Sequence, residues 1–106
     1  MAFDIEEIIH KTKNYAADAK KVMPVNKVIL FGSWAKGCAT EFSDVDICFF
    51  LDNYNGKQRV DIIAELLGLG GKYPDIAMEP LVFKSDEMVN GNPFVQVILR
   101  EGIQLL

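Results

Sequence analysis

The chain is 106 residues long, half of them hydrophobic and ten per cent aromatic, which is room for one folded core and too little for a second domain. Fifteen acidic residues against eleven basic ones give a net charge of −4, and no basic run supplies the clustered Lys and Arg that a long nucleic acid requires. No apolar stretch reaches transmembrane length, and Asp4, Glu6 and Glu7 stand where a signal peptide would be basic, so neither a membrane nor an export route is expected and the location reads as cytoplasmic.

A first helix is expected from Asp4 to Val22. Asp4 is its candidate N-cap with Glu7 at the capping-box position, and Ile5, Ile8, Ile9, Thr12, Tyr15, Ala16, Ala19 and Val22 recur at helical spacing. Lys20 and Lys21 suit the C-terminal end, and Pro24 stops it. His10, beside that stripe and away from the acids, reads as a helix-surface residue.

The run Val28 to Phe31 has strand composition and ends at Gly32-Ser33, where glycine lets the backbone turn and serine can begin a short helix. Outward-facing amides and a serine hydroxyl at a helix start form a cradle for phosphate oxygens, and glycine leaves the phosphate room to approach. A second strand follows in Ile47 to Leu51, introduced by Ser43-Asp44-Val45-Asp46. Residues two apart on a strand share a face, so Asp44 and Asp46 would converge while Val45 and Ile47 point the other way. Two adjacent carboxylates repel each other without a cation, and hard oxygen donors facing a phosphate cradle suit Mg²⁺. Cys48 falls on the face of Asp46 and reads as a small buried thiol; with Cys38 it has no CxxC spacing, and both read as reduced and mostly packed.

Residues 52 to 56 are a turn-rich loop, and a helix from Lys57 to Leu69 is expected through Val60, Ile63, Ala64, Leu66 and Leu67, released by Gly68, Gly70 and Gly71. Asp75 to Phe83 reads as a strand with Ala77, Glu79 and Leu81 on one face and Ile76, Met78 and Val82 on the other. An acid within an apolar strand is costly unless paired or metal-bound, so Glu79 is expected beside the D-x-D strand, and Pro80 suits an edge or a bulge. Ser85 can open a short turn through Met88. Asn92 caps a last helix with Pro93 at its first position and with Phe94, Val97 and Ile98 inward, before Gly102 ends it and Ile103 to Leu106 add a closing strand. The connections allow either strand sense, so strand order stays open.

Written out, the central unit is G-S-x9-S-D-x-D. Five fixed positions at roughly 5 to 7% usage each would coincide by chance on the order of once per million starting points, so the spacing is specific. It resembles the nucleotidyltransferase signature of the DNA polymerase beta superfamily, most closely its minimal bacterial and archaeal nucleotidyltransferases and kanamycin nucleotidyltransferase. That resemblance implies an α/β (α+β) fold, a single nucleotidyltransferase domain over residues 1–106 with a mixed β-sheet and helices packed on one side of it. It also implies a third carboxylate on a neighbouring strand. Glu79 matches best, because Leu81, Val82, Phe83 and the later Ile98-Leu99-Arg100-Glu101-Gly102 resemble the family's continuation; Asp75 is the competitor.

The activity so implied is transfer of a nucleoside monophosphate, AMP from ATP, to an acceptor hydroxyl with pyrophosphate leaving. Two Mg²⁺ ions would be held by Asp44, Asp46 and Glu79, and the nucleotide by Gly32, Ser33 and Ser43. Lys36 reads either as a phosphate contact or as a solvated side chain. The smallest members of the family pair with a HEPN-type helical protein as toxin and antitoxin, and a mean hydropathy of +0.13 leaves apolar surface for such a partner or for a homo-oligomer. The alternatives are a non-catalytic nucleotide-binding module that docks to a partner, and a plain structural domain.

Overall fold

The computed structural model describes residues 4–106. In chain order it contains α1 (Ile5–Lys20), β1 (Val25–Phe31), the single-turn α2 (Ser33–Lys36), β2 (Val45–Leu51), α3 (Arg59–Gly70), β3 (Met78–Lys84), a 3₁₀ turn (Ser85–Met88), α4 (Pro93–Glu101) and β4 (Ile103–Gln104). Its four-stranded sheet has the order β3-β2-β1-β4. β1 runs antiparallel to both β2 and β4, whereas β2 and β3 are parallel. The parallel pair is possible because α3 supplies the crossover between them. Pro80 lies on the edge strand β3 in an unbroken register with β2, so the edge, not a bulge, accommodates its missing N–H.

Both faces of the sheet are covered, which corrects the expectation of helices on one side only. Val28 and Leu30 of β1 and Val45, Ile47, Phe49 and Leu51 of β2 meet α1 and α3 through Ile8, Tyr15, Ala16, Ala19, Ile62 and Leu66. On the opposite face Ile29, Cys48 and Phe50 pack under Val95 and Ile98 of α4. This is why β2 is apolar from Ile47 onward without alternation. At about 25 cal/mol per Å² of apolar area removed from water, this two-sided burial is the main stabilising term, and emptying the Phe49 or Phe50 position, both fully buried, would cost about 3–5 kcal/mol.

Helix α1 starts where Asp4 accepts the Glu7 N–H at 2.8 Å and stops before Val22. Val22 is therefore exposed rather than part of the buried stripe, and Ile5 in the first turn is exposed too. The buried Tyr15 hydroxyl donates to the Leu66 carbonyl at 2.6 Å, tying α1 to α3. In α3 the inward ridge is Ile62 and Leu66 with Leu69 partly buried, while Val60 and Leu67 face out, and the helix runs through Gly68 to Gly70. The ridge facing α1 and the sheet decides which apolar residues are buried, and spacing alone allowed more than one such ridge.

Helix α4 follows the same rule. Asn92 caps it, accepting from the Phe94 and Val95 N–H groups, with Pro93 at the first position as expected. Val95 and Ile98 are inward, but Phe94 is 50% exposed and Val97 37% exposed, contrary to the sequence reading. Gly102 lets the chain return beside β1: a Cβ there would stand 2.8 Å from the Leu30 carbonyl oxygen and 2.6 Å from that of Ile98. Cys38 is likewise exposed rather than packed.

Candidate active site

Antiparallel pairing sets Phe31, the last residue of β1, opposite Asp46. The next residue, Gly32, has φ 74° and ψ −153°, a conformation that side chains other than glycine's avoid. A Cβ built on it would lie 3.1 Å from Cγ and 3.3 Å from Cβ of Asp46 and would overlap the carboxylate oxygen. Glycine is thus required twice, for the turn and for direct contact between that turn and the acid. Helix α2 begins at once. Its Lys36 N–H bonds the Gly32 carbonyl at 3.1 Å, and Gly37 closes it in the left-handed region at φ 77°. The first amides of such a turn have no acceptor within the helix, and Ser33 adds its hydroxyl beside them.

The return to β2 is held by short bonds. Thr40 N–H donates to the Ser43 hydroxyl at 2.9 Å, Ser43 N–H to the Thr40 carbonyl at 3.0 Å, and the Trp34 indole N–H to the Ser43 carbonyl at 3.5 Å. Ser43 therefore staples the loop that delivers Asp44. Asp44 itself is exposed just before β2, and Asp46 is half-buried within it.

On β3, Glu79 stands in parallel register with Asp46. The Asp46 carboxyl is held above its ordinary value of 3.8, first by burial, then by the charge of Glu79 and then by that of Asp44. Among the described residues no side-chain hydrogen bond or ion pair offsets this. Asp75 is placed elsewhere, in the turn before β3, where it lines a small cavity of about 140 Å³ with Ile8, Trp34 and Phe42. Its charge is not among those felt at Asp46.

The three acids form a neighbourhood rather than a closed cage: among the described residues no group of three His, Cys, Asp or Glu is gathered tightly enough to hold a metal ion. The donor chemistry nevertheless fits a hard divalent cation, because the donors are all carboxylate oxygens, two of the side chains are exposed, and Mg²⁺ takes only one or two carboxylates beside phosphates and water. Cys48 is fully buried in the apolar cluster with Ile29, Phe50, Val95 and Ile98, and burial pushes its thiol up to about 12, as for a packed side chain.

Sequence reasoning missed the wall beside this site. Phe31, assigned only to the strand, meets Phe94 of α4 edge-on at 6.2 Å, and together with Gly32 and Lys36 they line an open cavity. The available signal was that Phe31 immediately precedes Gly-Ser. Lys36 is exposed on the rim of this cavity.

Comparisons with known proteins converge on one family. The family model described as a nucleotidyltransferase domain matches residues 9–105. Two proteins of Methanocaldococcus jannaschii, each named as a candidate protein adenylyltransferase, are 35% identical to the chain. One alignment spans 83 residues, 74% of this chain and 81% of the relative; the other spans 72 residues, 62% of this chain and 69% of the relative. In fold, the chain is similar to a candidate nucleotidyltransferase of Sulfolobus solfataricus with a TM-score of 0.64 at 16% identity, covering 94% of this chain and 80% of that one. It is also similar to a chain from a toxin–antitoxin structure with AMP-PNP, with a TM-score of 0.57 at 16% identity, covering 89% of this chain and 72% of that one.

Proposed function

The chain belongs to the nucleotidyltransferase-domain family, and from that premise we propose that residues 1–106 act as one such domain, moving AMP from ATP to an acceptor hydroxyl with divalent-metal assistance. The observation that carries this reading is the Asp46 carboxylate touching the Gly32 turn, crowded by Glu79 and Asp44 and with no ion-pair partner among the described residues. An acid kept in such surroundings is suited to a ligand that brings positive charge, and a triphosphate needs the same charge.

In this reading the amides after Gly32 and the Ser33 hydroxyl hold the β and γ phosphates, with Ser43 keeping the loop closed behind them. Asp44, Asp46 and Glu79 would hold Mg²⁺, one ion or two. When bound, the metal supplies charge stabilisation at the phosphates and a lowered pKa for the attacking hydroxyl. The acceptor oxygen forms a bond to the α phosphorus, the bond from that phosphorus to the bridging oxygen breaks, pyrophosphate leaves and the hydroxyl proton passes to solvent. Glu79, exposed on the edge strand, is the acid that meets the acceptor side.

The acceptor in this proposal is a hydroxyl on a protein, a tyrosine of a HEPN-type helical partner in a toxin–antitoxin pair, with a second copy of the chain as the next choice. The names of the two archaeal relatives support a protein acceptor, and the fold neighbour from a toxin–antitoxin structure supports a paired partner. Among the described residues no helix is long and apolar enough to cross a membrane, and an ATP-class substrate supports a cytoplasmic site of action. The test is purification from the native cell with cross-linking, followed by incubation with labelled ATP and Mg²⁺. A labelled, co-purifying protein is expected; free monomer that transfers label only to small alcohols would overturn the protein-acceptor reading.

A further inference from the structure

We propose that the apolar cavity between the end of β1 and helix α4 seats the nucleobase of the triphosphate, with the Phe94 ring as its stacking platform. The proposal rests on the reading of Gly32 and Ser33 as the phosphate cradle. The cavity measures about 220 Å³, with Phe31 and Gly32 on one wall, Phe94 and Val97 on the other, and Lys36 and Glu101 at the rim. Pockets that enclose a whole drug-sized ligand run to about 300–1,000 Å³, so this one accommodates a ring system rather than an entire nucleotide.

Phe94 is held from two sides, edge-on by Phe31 at 6.2 Å and by Phe83 at 6.3 Å, yet half its surface stays open. A fixed ring with open surface is what base stacking uses. Gly32 supplies the link to the reaction, because it belongs both to the cavity wall and to the turn that touches Asp46. A ligand whose phosphates lie on that turn carries its base as a tethered group within reach of the cavity.

Strand order separates the two substrates. With β3-β2-β1 as neighbours, the cavity lies on the β1 side of Asp46 and Glu79 on the β3 side. The nucleotide then occupies one flank and leaves the other open to the acceptor. The rim residue Glu101, paired with Arg100 at 3.5 Å in an exposed ion pair, does not set base choice in this scheme, and stacking accepts any base with a π-face.

The experiment compares binding of Mg·ATP and Mg·tripolyphosphate, which has the phosphates without the base, by titration calorimetry on the full chain. Phe94→Ala should weaken Mg·ATP about 5- to 150-fold, the equivalent of ~1–3 kcal/mol per stacked base, and leave Mg·tripolyphosphate unchanged. Val97→Trp, which fills the cavity without removing the platform, should act in the same direction and guards against loss of fold in the first variant. Unchanged ATP affinity in both variants overturns the proposal, and if transfer falls at the same time the cavity seats the acceptor instead. Equal weakening of both ligands overturns it as well. Wild-type protein that binds neither ligand refutes the phosphate cradle, and the base seat falls with it.

Discussion

Strand β2 has an acid near its start and another just past its end, and their surroundings are opposite. Asp46 touches a glycine turn and feels burial and two like charges, all of which hold its carboxyl up. Asp52 accepts from the Ser85 hydroxyl at 2.8 Å and from the Asn26 side-chain amide at 3.0 Å, and these bonds hold its carboxyl down. One acid has its partners in the fold. The other has the Gly32 turn built against it and no hydrogen-bond or ion-pair partner among the described residues, the kind of perturbed acid that functional sites collect. The two ends of β2 thus hold one carboxylate that the fold bonds and one that it crowds.

The widest gap between the two ends should appear in catalysis. Asp46→Asn removes charge at nearly constant shape and is expected to lower labelled AMP transfer by about a hundredfold or more, the scale of losing one electrostatic stabiliser in an active site. Asp52→Asn should leave transfer at the wild-type rate. Comparable losses in the two variants would mean that Asp46 has no special place in the reaction. Gly32→Ala attacks the same end from the backbone. It should cost about 1–3 kcal/mol of stability for a side chain forced to positive φ, and it should also depress transfer, because the new methyl occupies the space of the Asp46 carboxylate. A thermal melt and a transfer assay on one preparation check both; full activity in this variant would refute the contact.

Ligand binding sharpens the comparison further. Mg²⁺ with ATP should raise Tm, by the equivalent of about 2.7 kcal/mol at a hundred times Kd, whereas ATP with a chelator should not. The effect should vanish in Asp46→Asn and persist in Asp52→Asn. Equal stabilisation with and without metal would count against the acids as a cation site.

Much of this was legible in the sequence where one residue type has one local job. Asp4, Asn92-Pro93 and Gly102 mark helix ends by their own chemistry, whereas the i, i+2 argument for Asp44 and Asp46 holds only for Asp46, since β2 begins at Val45 and Asp44 lies just before it. Glu79 does stand beside Asp46, but the burial cost that pointed there does not apply, because Glu79 is exposed on the edge strand. What stayed hidden depends on which surface packs on which. Val60, Leu67, Phe94 and Val97 are all apolar at helical spacing, yet each helix buries only the ridge that meets its neighbour, and α4 covers a sheet face that the pattern left unassigned. The Phe31–Phe94 wall is the product of that packing, so no local reading of either phenylalanine finds it.

The finest distinction between the two acids is the sign of their pH dependence in metal-free protein. Asp46 binds its proton more tightly folded than unfolded, so between 3.8 and its raised folded value the native state holds more protons, and its contribution to stability falls as pH rises through that window. Asp52 does the reverse: its folded value lies below 3.8, so its contribution is complete above 3.8 and is lost as pH falls through the folded value. Urea melts across this acidic range should show Asp46→Asn gaining on the wild type as pH rises, while Asp52→Asn falls behind it. Ser85→Ala should reproduce the Asp52 trend in weaker form, because one of the two donors to that carboxylate remains. Saturating Mg²⁺ should cancel the Asp46 trend and leave the Asp52 trend alone, since a bound cation reverses the cost of the charged form at one end of the strand only. Trends of the same sign for both acids would show that Asp46 is satisfied within the fold, and the contrast between the two ends of β2 would then carry no functional meaning.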